Sequence, residues 1–256
     1  MLFRSYELLL AKFKSNRNFP EKKYIYISAI IPNIETINNW LGGNQQSLVK
    51  SNYRPTQLSY GFLVKNNNEK GSETFSLDIY STKNELISFT INDLLDVQKD
   101  YKYTKISTGN INTYKYKTIK ARAVSVALRS LNSGCVALFT PQKGVRGVKG
   151  LADEVIKQVE LLTFPNPLNF SLKEKIQDLT LYFKKIFGEE YILTKSIQHG
   201  FAIHHGDLPQ FVREIIEKCI RDRIVPLVIC TNTLAEGVNL PIKTLVSHKP
   251  QNELGQ

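Results

Sequence analysis

Between residues 118 and 247 the apolar positions fall into short bursts separated by longer stretches of helical period. The bursts are 135–139, 201–205, 224–230 and 245–247; the periodic stretches are 118–131, 151–162, 171–187, 189–197 and 210–221. Short apolar runs bounded by Gly, Pro or Asn predict buried strands, and the 3.6-residue stretches predict helices. Strands that alternate with helices in this way predict a parallel α/β sheet. Upstream the pattern differs. Leu8, Leu9 and Phe13 predict an amphipathic helix over 1–14, and 23–31 predicts a buried strand. Pro32 and Asn33 stop that strand and start a helix through Trp40, closed by Gly42 and Gly43. Pro55 forces an extended entry into 51–64, the polar stretch 66–73 turns, and 74–80 alternates, so these segments predict a hairpin. Residues 97–117 place Tyr101, Tyr103, Tyr114 and Tyr116 among Lys99, Lys102, Lys105, Lys115 and Lys117. Their pattern fits a linker better than the alternative, a basic-aromatic surface able to stack bases, because nothing in it fixes a shape.

Composition narrows the class. Hydrophobic residues make up 42% of 256, enough for a core and against wholesale disorder. No apolar run reaches the roughly 18 residues of a membrane span, and the N-terminus lacks a small-residue cleavage site. Cys135, Cys219 and Cys230 lie far apart with no CxxC pair, which implies a reduced, cytoplasmic chain without a disulfide framework. Lys and Arg number 34 against 23 acids, a net charge of +11 that favours a polyanionic partner such as nucleic acid.

In parallel α/β sheets, ligands bind beyond the carboxyl ends of the strands. Those ends are Ser28 and Ala29, Thr140 and Pro141, His204 to Asp207, and Thr231. All are small, polar or titratable, suited to phosphate oxygens rather than base edges. Thr231 could instead only cap the next turn, and Arg213 could be a surface residue paired with Glu217. His204, His205 and Asp207 read as a helix-start loop rather than a metal site, since no HExxH-type spacing exists.

At these strand ends the sequence resembles the superfamily-2 DExH/DEAD-box helicases, especially their superkiller-like branch. "TNTLAEGVNLP" (231–241) is similar to motif V, "FAIHHGDLPQFVREIIEKCI" to the His-His segment upstream of it, and "VALFTPQKGVRGVKGLADEV" to motif IV. "YISAIIPNIETINNWLGG" resembles motif III, with Ile30 in place of its Thr. The resemblance implies two RecA-like domains that close on ATP and hold a nucleic acid strand across their tops. It implies the tail of a first RecA-like domain over 1–62, a hairpin and basic linker over 63–117, and a second RecA-like helicase C-terminal domain over 118–256. By resemblance Thr231 contacts a backbone phosphate, and Thr140, His205 and Gly206 line the strand path. Arg213 braces the loop after His205 or reaches a phosphate. Gly237 keeps the motif V turn tight, Asn239 approaches the nucleotide, and Ser28 and Ala29 couple the nucleotide pocket to closure.

The departures matter as much. Phosphoryl transfer needs a phosphate cradle and a magnesium-holding acid. No GxxxxGKS/T is present; "GVRGVKGLAD" lacks the GKS/T step, and Asp153 and Glu154 fall on a predicted helix. Motif VI is missing. The expectation is a fragment that runs from just after motif II to just after motif V. It would work within an ATP- and Mg2+-dependent helicase, with no cofactor of its own and no turnover alone. Its partners would be a single strand of DNA or RNA and a separate P-loop/DExH polypeptide. The alternatives are a non-catalytic nucleic-acid-binding module or split-helicase subunit, and, without any GxGxxG after a strand, a Rossmann-like enzyme.

Overall fold

The computed structural model describes residues 34–50, 58–66, 72–81, 87–234 and 240–247. The chain divides into two units, residues 1–56 and 57–256. In the first, α1 (Ile34–Trp40) ends where Gly42 takes φ +86°, a left-handed conformation that its missing Cβ permits. Asn44 then caps a 3-10 turn, accepting from the backbone of Gln46 and Ser47 while Ser47 Oγ accepts from Asn44 N–H. The expected helix at 1–14 and strand at 23–31 lie outside the described residues.

The second unit opens with an antiparallel meander: β1 (Ser59–Asn66), β2 (Thr74–Ser81) and β3 (Ile87–Asp96), in that order. The β1–β2 hairpin is the expected one. β3 was not anticipated; it pairs along β2 with register shifts between Phe75 and Leu77 and between Ile79 and Tyr80. At the first shift Asp93 adopts φ 49°, its N–H donating to Ser76 Oγ and its carboxylate accepting from Asn66.

Residues 97–117 correct the linker expectation. Asp96 caps the helical turn α2 (Val97–Asp100), and β4 (Lys102–Thr104) pairs with β5 (Ile111–Thr113). Tyr101 is fully buried, its ring against Tyr116 and Phe164 and its hydroxyl donating to Ser125 Oγ at 2.7 Å. Ser125 and Tyr114 extend the network to Gln158 and Glu154. Buried hydroxyls need such partners, and these come from two helices of the following domain. Tyr101 and Tyr116 are therefore core residues, not a surface on which bases can stack.

That domain is the expected RecA-like α/β layer. It comprises α3 (Ile119–Ser130), β6 (Val136–Phe139), α4 (Val148–Leu161), α5 (Lys173–Phe187), α6 (Ile192–Gln198), β7 (Phe201–His204), α7 (Gln210–Arg221), β8 (Leu227–Cys230) and β9 (Thr244–Ser247). The four strands form one parallel sheet, ordered β7-β8-β6-β9, with helices packed on it. Every residue of β7 and β8 is buried, as a parallel sheet covered by helices requires. Thr118 caps α3 by accepting from Ala121 N–H, which fixes where that helix begins. No described helix is long and apolar enough to cross a membrane.

Candidate nucleic-acid interface

The sheet order brings three of the expected strand ends side by side. Thr140 N–H donates to the Cys230 carbonyl at 3.0 Å, and Thr231 N–H donates to the His204 carbonyl at 3.1 Å. The loops after β6, β7 and β8 therefore leave the sheet at one edge, in the order β7, β8, β6. Thr140, His205, Gly206 and Thr231 all sit there; Arg213 sits on the first turn of α7. Ser28, Ala29, Gly237 and Asn239 lie outside the described residues.

Exposure sorts these residues. Thr140 is 1% exposed and Thr231 6%, so neither hydroxyl stands out from the surface. Gly206, Asp207 and Asn232 are exposed, and His205 and Thr233 are half-buried. A Cβ on Gly206 would lie 3.4 Å from Thr233 Cγ2, so the loops after β7 and β8 touch there. The loop after β6 reaches across as well: Lys143 Nζ donates to Asp207 at 2.6 Å, and that ammonium holds the Asp207 carboxyl below the usual carboxylate range.

The loop 142–150 is shaped by close backbone approach. Val148 N–H and Lys149 N–H donate to the carbonyls of Gln142 and Lys143, and a Cβ on Gly147 would lie 1.7 Å from the Gln142 oxygen. Only glycine fits at 147.

His204 organises the edge from beneath. It is fully buried, with Nε2 3.0 Å from Glu217 Oε1 and Nδ1 3.3 Å from Thr233 Oγ1; Thr233 Oγ1 lies 3.1 Å from Thr231 Oγ1. A carboxylate at Nε2 assigns the ring proton to that nitrogen, so Nδ1 accepts from Thr233 and Thr233 accepts from Thr231. Burial pushes the His204 pKa down against the pull of Glu217, keeping the ring neutral at pH 7. Burial lowers His205 as well. Nothing in a His-His pair says which ring is the core one; the structure separates them because β7, buried throughout, ends at His204. Lys143 falls within the segment similar to motif IV, but that resemblance assigns it no role.

Arg213 does not pair with Glu217, whose carboxylate faces His204 instead. Among the described residues no carboxylate bridges to Arg213, and its Nε is buried without a hydrogen-bond partner, as is His205 Nδ1. The edge offers an uncommitted cation, donors on half-buried side chains and exposed backbone, which together suit an anionic backbone. Burial raises the pKa of the Cys219 thiol to about 11 and that of Cys230 to about 12. Among the described residues no group of His, Cys, Asp or Glu could hold a metal ion.

Residues 167–254 match the model of the helicase conserved C-terminal domain. The chain is 26% identical over 228 residues to the ATP-dependent DNA helicase Hel308 of Thermoplasma volcanium, covering 89% of this chain and 25% of that protein. It is 24% identical over 247 residues to DNA polymerase theta of Drosophila melanogaster, covering 95% and 11%. It is 22% identical over 251 residues to the Hachiman protein HamB of Bacillus cereus, covering 94% and 20%. The chain thus spans a quarter or less of the length of these relatives.

Proposed function

We propose that this chain, which carries the conserved C-terminal domain of superfamily-2 helicases on a RecA-like sheet, grips a nucleic acid backbone at the edge formed by the loops after β6, β7 and β8. The observation that carries this reading is the convergence of Lys143, His205, Gly206, Thr231, Thr233 and Arg213 on one edge. The ordinary ligand chemistry there is N–H and O–H donation to phosphate, which reads no sequence. His204 positions the loop after β8: its neutral ring accepts from Thr233 and so orients Thr231 behind it. Thr231 reaches a phosphate by rotating its hydroxyl away from Thr233. Asp207 holds Lys143 until a phosphate competes for the ammonium.

ATP with Mg2+ belongs to the complete helicase, where it supplies the free energy of closing and opening. The described residues do not fit it by themselves: no glycine-rich GKS/T cradle is present, and no acidic cluster stands at a strand end. The chain alone is therefore expected not to hydrolyse ATP, and a P-loop/DExH polypeptide would have to supply that chemistry.

The test is fluorescence anisotropy with labelled oligothymidylate and oligouridylate across a salt series, beside an ATPase assay. Salt-sensitive binding weakened several-fold by Thr231→Val supports the backbone grip. Binding unaffected by that change, or ATP turnover by the chain alone, would sink the reading. Mixing in a separately expressed P-loop/DExH polypeptide separates two versions of it. Restored ATPase activity marks a split helicase, and binding without turnover marks a non-catalytic module.

A further inference from the structure

A second cationic site lies where the meander meets the start of α3. Leu63, Lys65, Glu73, Phe75, Lys117 and Arg122 line a cleft of about 400 Å³, open on one side. Glu73 sits among the cations. Its carboxylate accepts from Tyr116 Oη at 2.8 Å and from Lys65 at 3.2 Å, and both contacts, with the nearby Lys117 charge, hold its pKa down. The Arg122 guanidinium lies over the Phe75 ring at 5.4 Å and donates through Nη1 to the Lys117 carbonyl. One carboxylate thus faces three cations, and among the described residues no carboxylate bridges to Lys117 or Arg122.

The cleft shares the rim of the strand-end edge. α3 leads back into β6, so its first turn lies near the end of β6 from which the loop 142–150 departs. Lys120 Nζ donates to the Val145 carbonyl at 3.2 Å, joining that turn to that loop. The same loop carries Lys143, which reaches Asp207 beyond β7. No acid stands in the first turn of α3, whose N–H groups add positive potential to the cleft.

Resting on the backbone grip proposed above, we propose that the nucleic acid strand continues past the sheet edge into this cleft. There Lys117, Arg122 and Lys65 take a backbone phosphate, and Glu73 occupies the anion's place until the strand displaces it. The ligand is the phosphodiester of a single strand; free phosphate shares the charge but not the continuity along the rim.

The experiment measures affinity and salt slope for labelled oligothymidylate with the full chain. Lys117→Gln should weaken binding about threefold to tenfold and reduce the slope of log K against log salt by about 0.7, one single-strand phosphate contact. Glu73→Gln, which keeps the Tyr116 hydrogen bond, should tighten binding. Lys185→Gln and Glu174→Gln on α5 make the same changes in net charge elsewhere and should do neither. Thermal melts confirm that each variant is folded. If the α5 controls match the cleft variants, or if Lys117→Gln and Glu73→Gln change nothing while Thr231→Val weakens binding, the cleft proposal is overturned and the sheet-edge reading stands. If the cleft variants act and Thr231→Val does not, the sheet-edge reading fails, and the continuation from that edge into the cleft proposed here is overturned with it. Loss of inorganic phosphate binding in Lys117→Gln, with strand affinity intact, would mark a free-anion site and overturn the proposal.

Discussion

Asp207 and a bound phosphate compete for one ammonium, and that competition has a sign. Both Lys143 and Asp207 are largely exposed, so their pairing contributes little to stability. Asp207→Asn should leave the melting temperature within a degree or two and tighten strand binding, since Lys143 no longer has to be released; a salt titration of anisotropy checks it. His204 gives a prediction in pH. Its folded pKa lies below the unfolded value, so between the two the unfolded chain binds more protons. Stability is fully present above the unfolded value of about 6.5 and is lost as pH falls below it. His205 shifts the same way and adds to the slope. Thermal melts from neutral to acidic pH should show a shallower decline for His204→Gln, in which that proton is no longer taken up. At this scale sequence reading singled out Thr231, Gly206 and Arg213 through a motif resemblance. It could not separate a hydroxyl at the surface from one 1% exposed, as Thr140 is, because exposure depends on three loops from distant parts of the chain.

Two glycines of neighbouring loops should answer alanine in opposite ways. Gly147 sits against the Gln142 carbonyl, and a methyl there must displace backbone. Gly147→Ala is expected to cost roughly 2–4 kcal/mol, read as a lower urea midpoint. Gly206 has room at its Cβ position, so Gly206→Ala should keep stability while hindering close backbone approach and weakening strand binding. Elements with strong period were legible: α7 spans Gln210–Arg221 as its apolar spacing predicts, and β7 covers the first four residues of the expected run. β3 was not, because its alternation is broken by two register shifts that only pairing with β2 explains. The segment 97–117 was not legible either. Its tyrosines look like surface residues among lysines until Ser125, Gln158 and Glu154 supply partners from far along the chain. Tyr101→Phe should lower stability by about 1 kcal/mol through loss of one buried hydrogen bond.

For the whole molecule, the order β7-β8-β6-β9 sets when the sheet can exist at all. The meander is local: Asn66 faces Thr74 across its turn, so β1 and β2 can pair as soon as both have been synthesised. β6 is not. Val136 must wait for Leu227 on one side and Thr244 on the other, and until then both of its edges are bare. On the ribosome, α3, α4 and α5 therefore emerge with apolar faces uncovered through most of the domain's synthesis. Pairings of such sequence separation are slow to form and expose the chain to aggregation meanwhile. The yield of folded protein should respond to a co-expressed holdase that covers β6 in that interval far more than to any change that strengthens the meander.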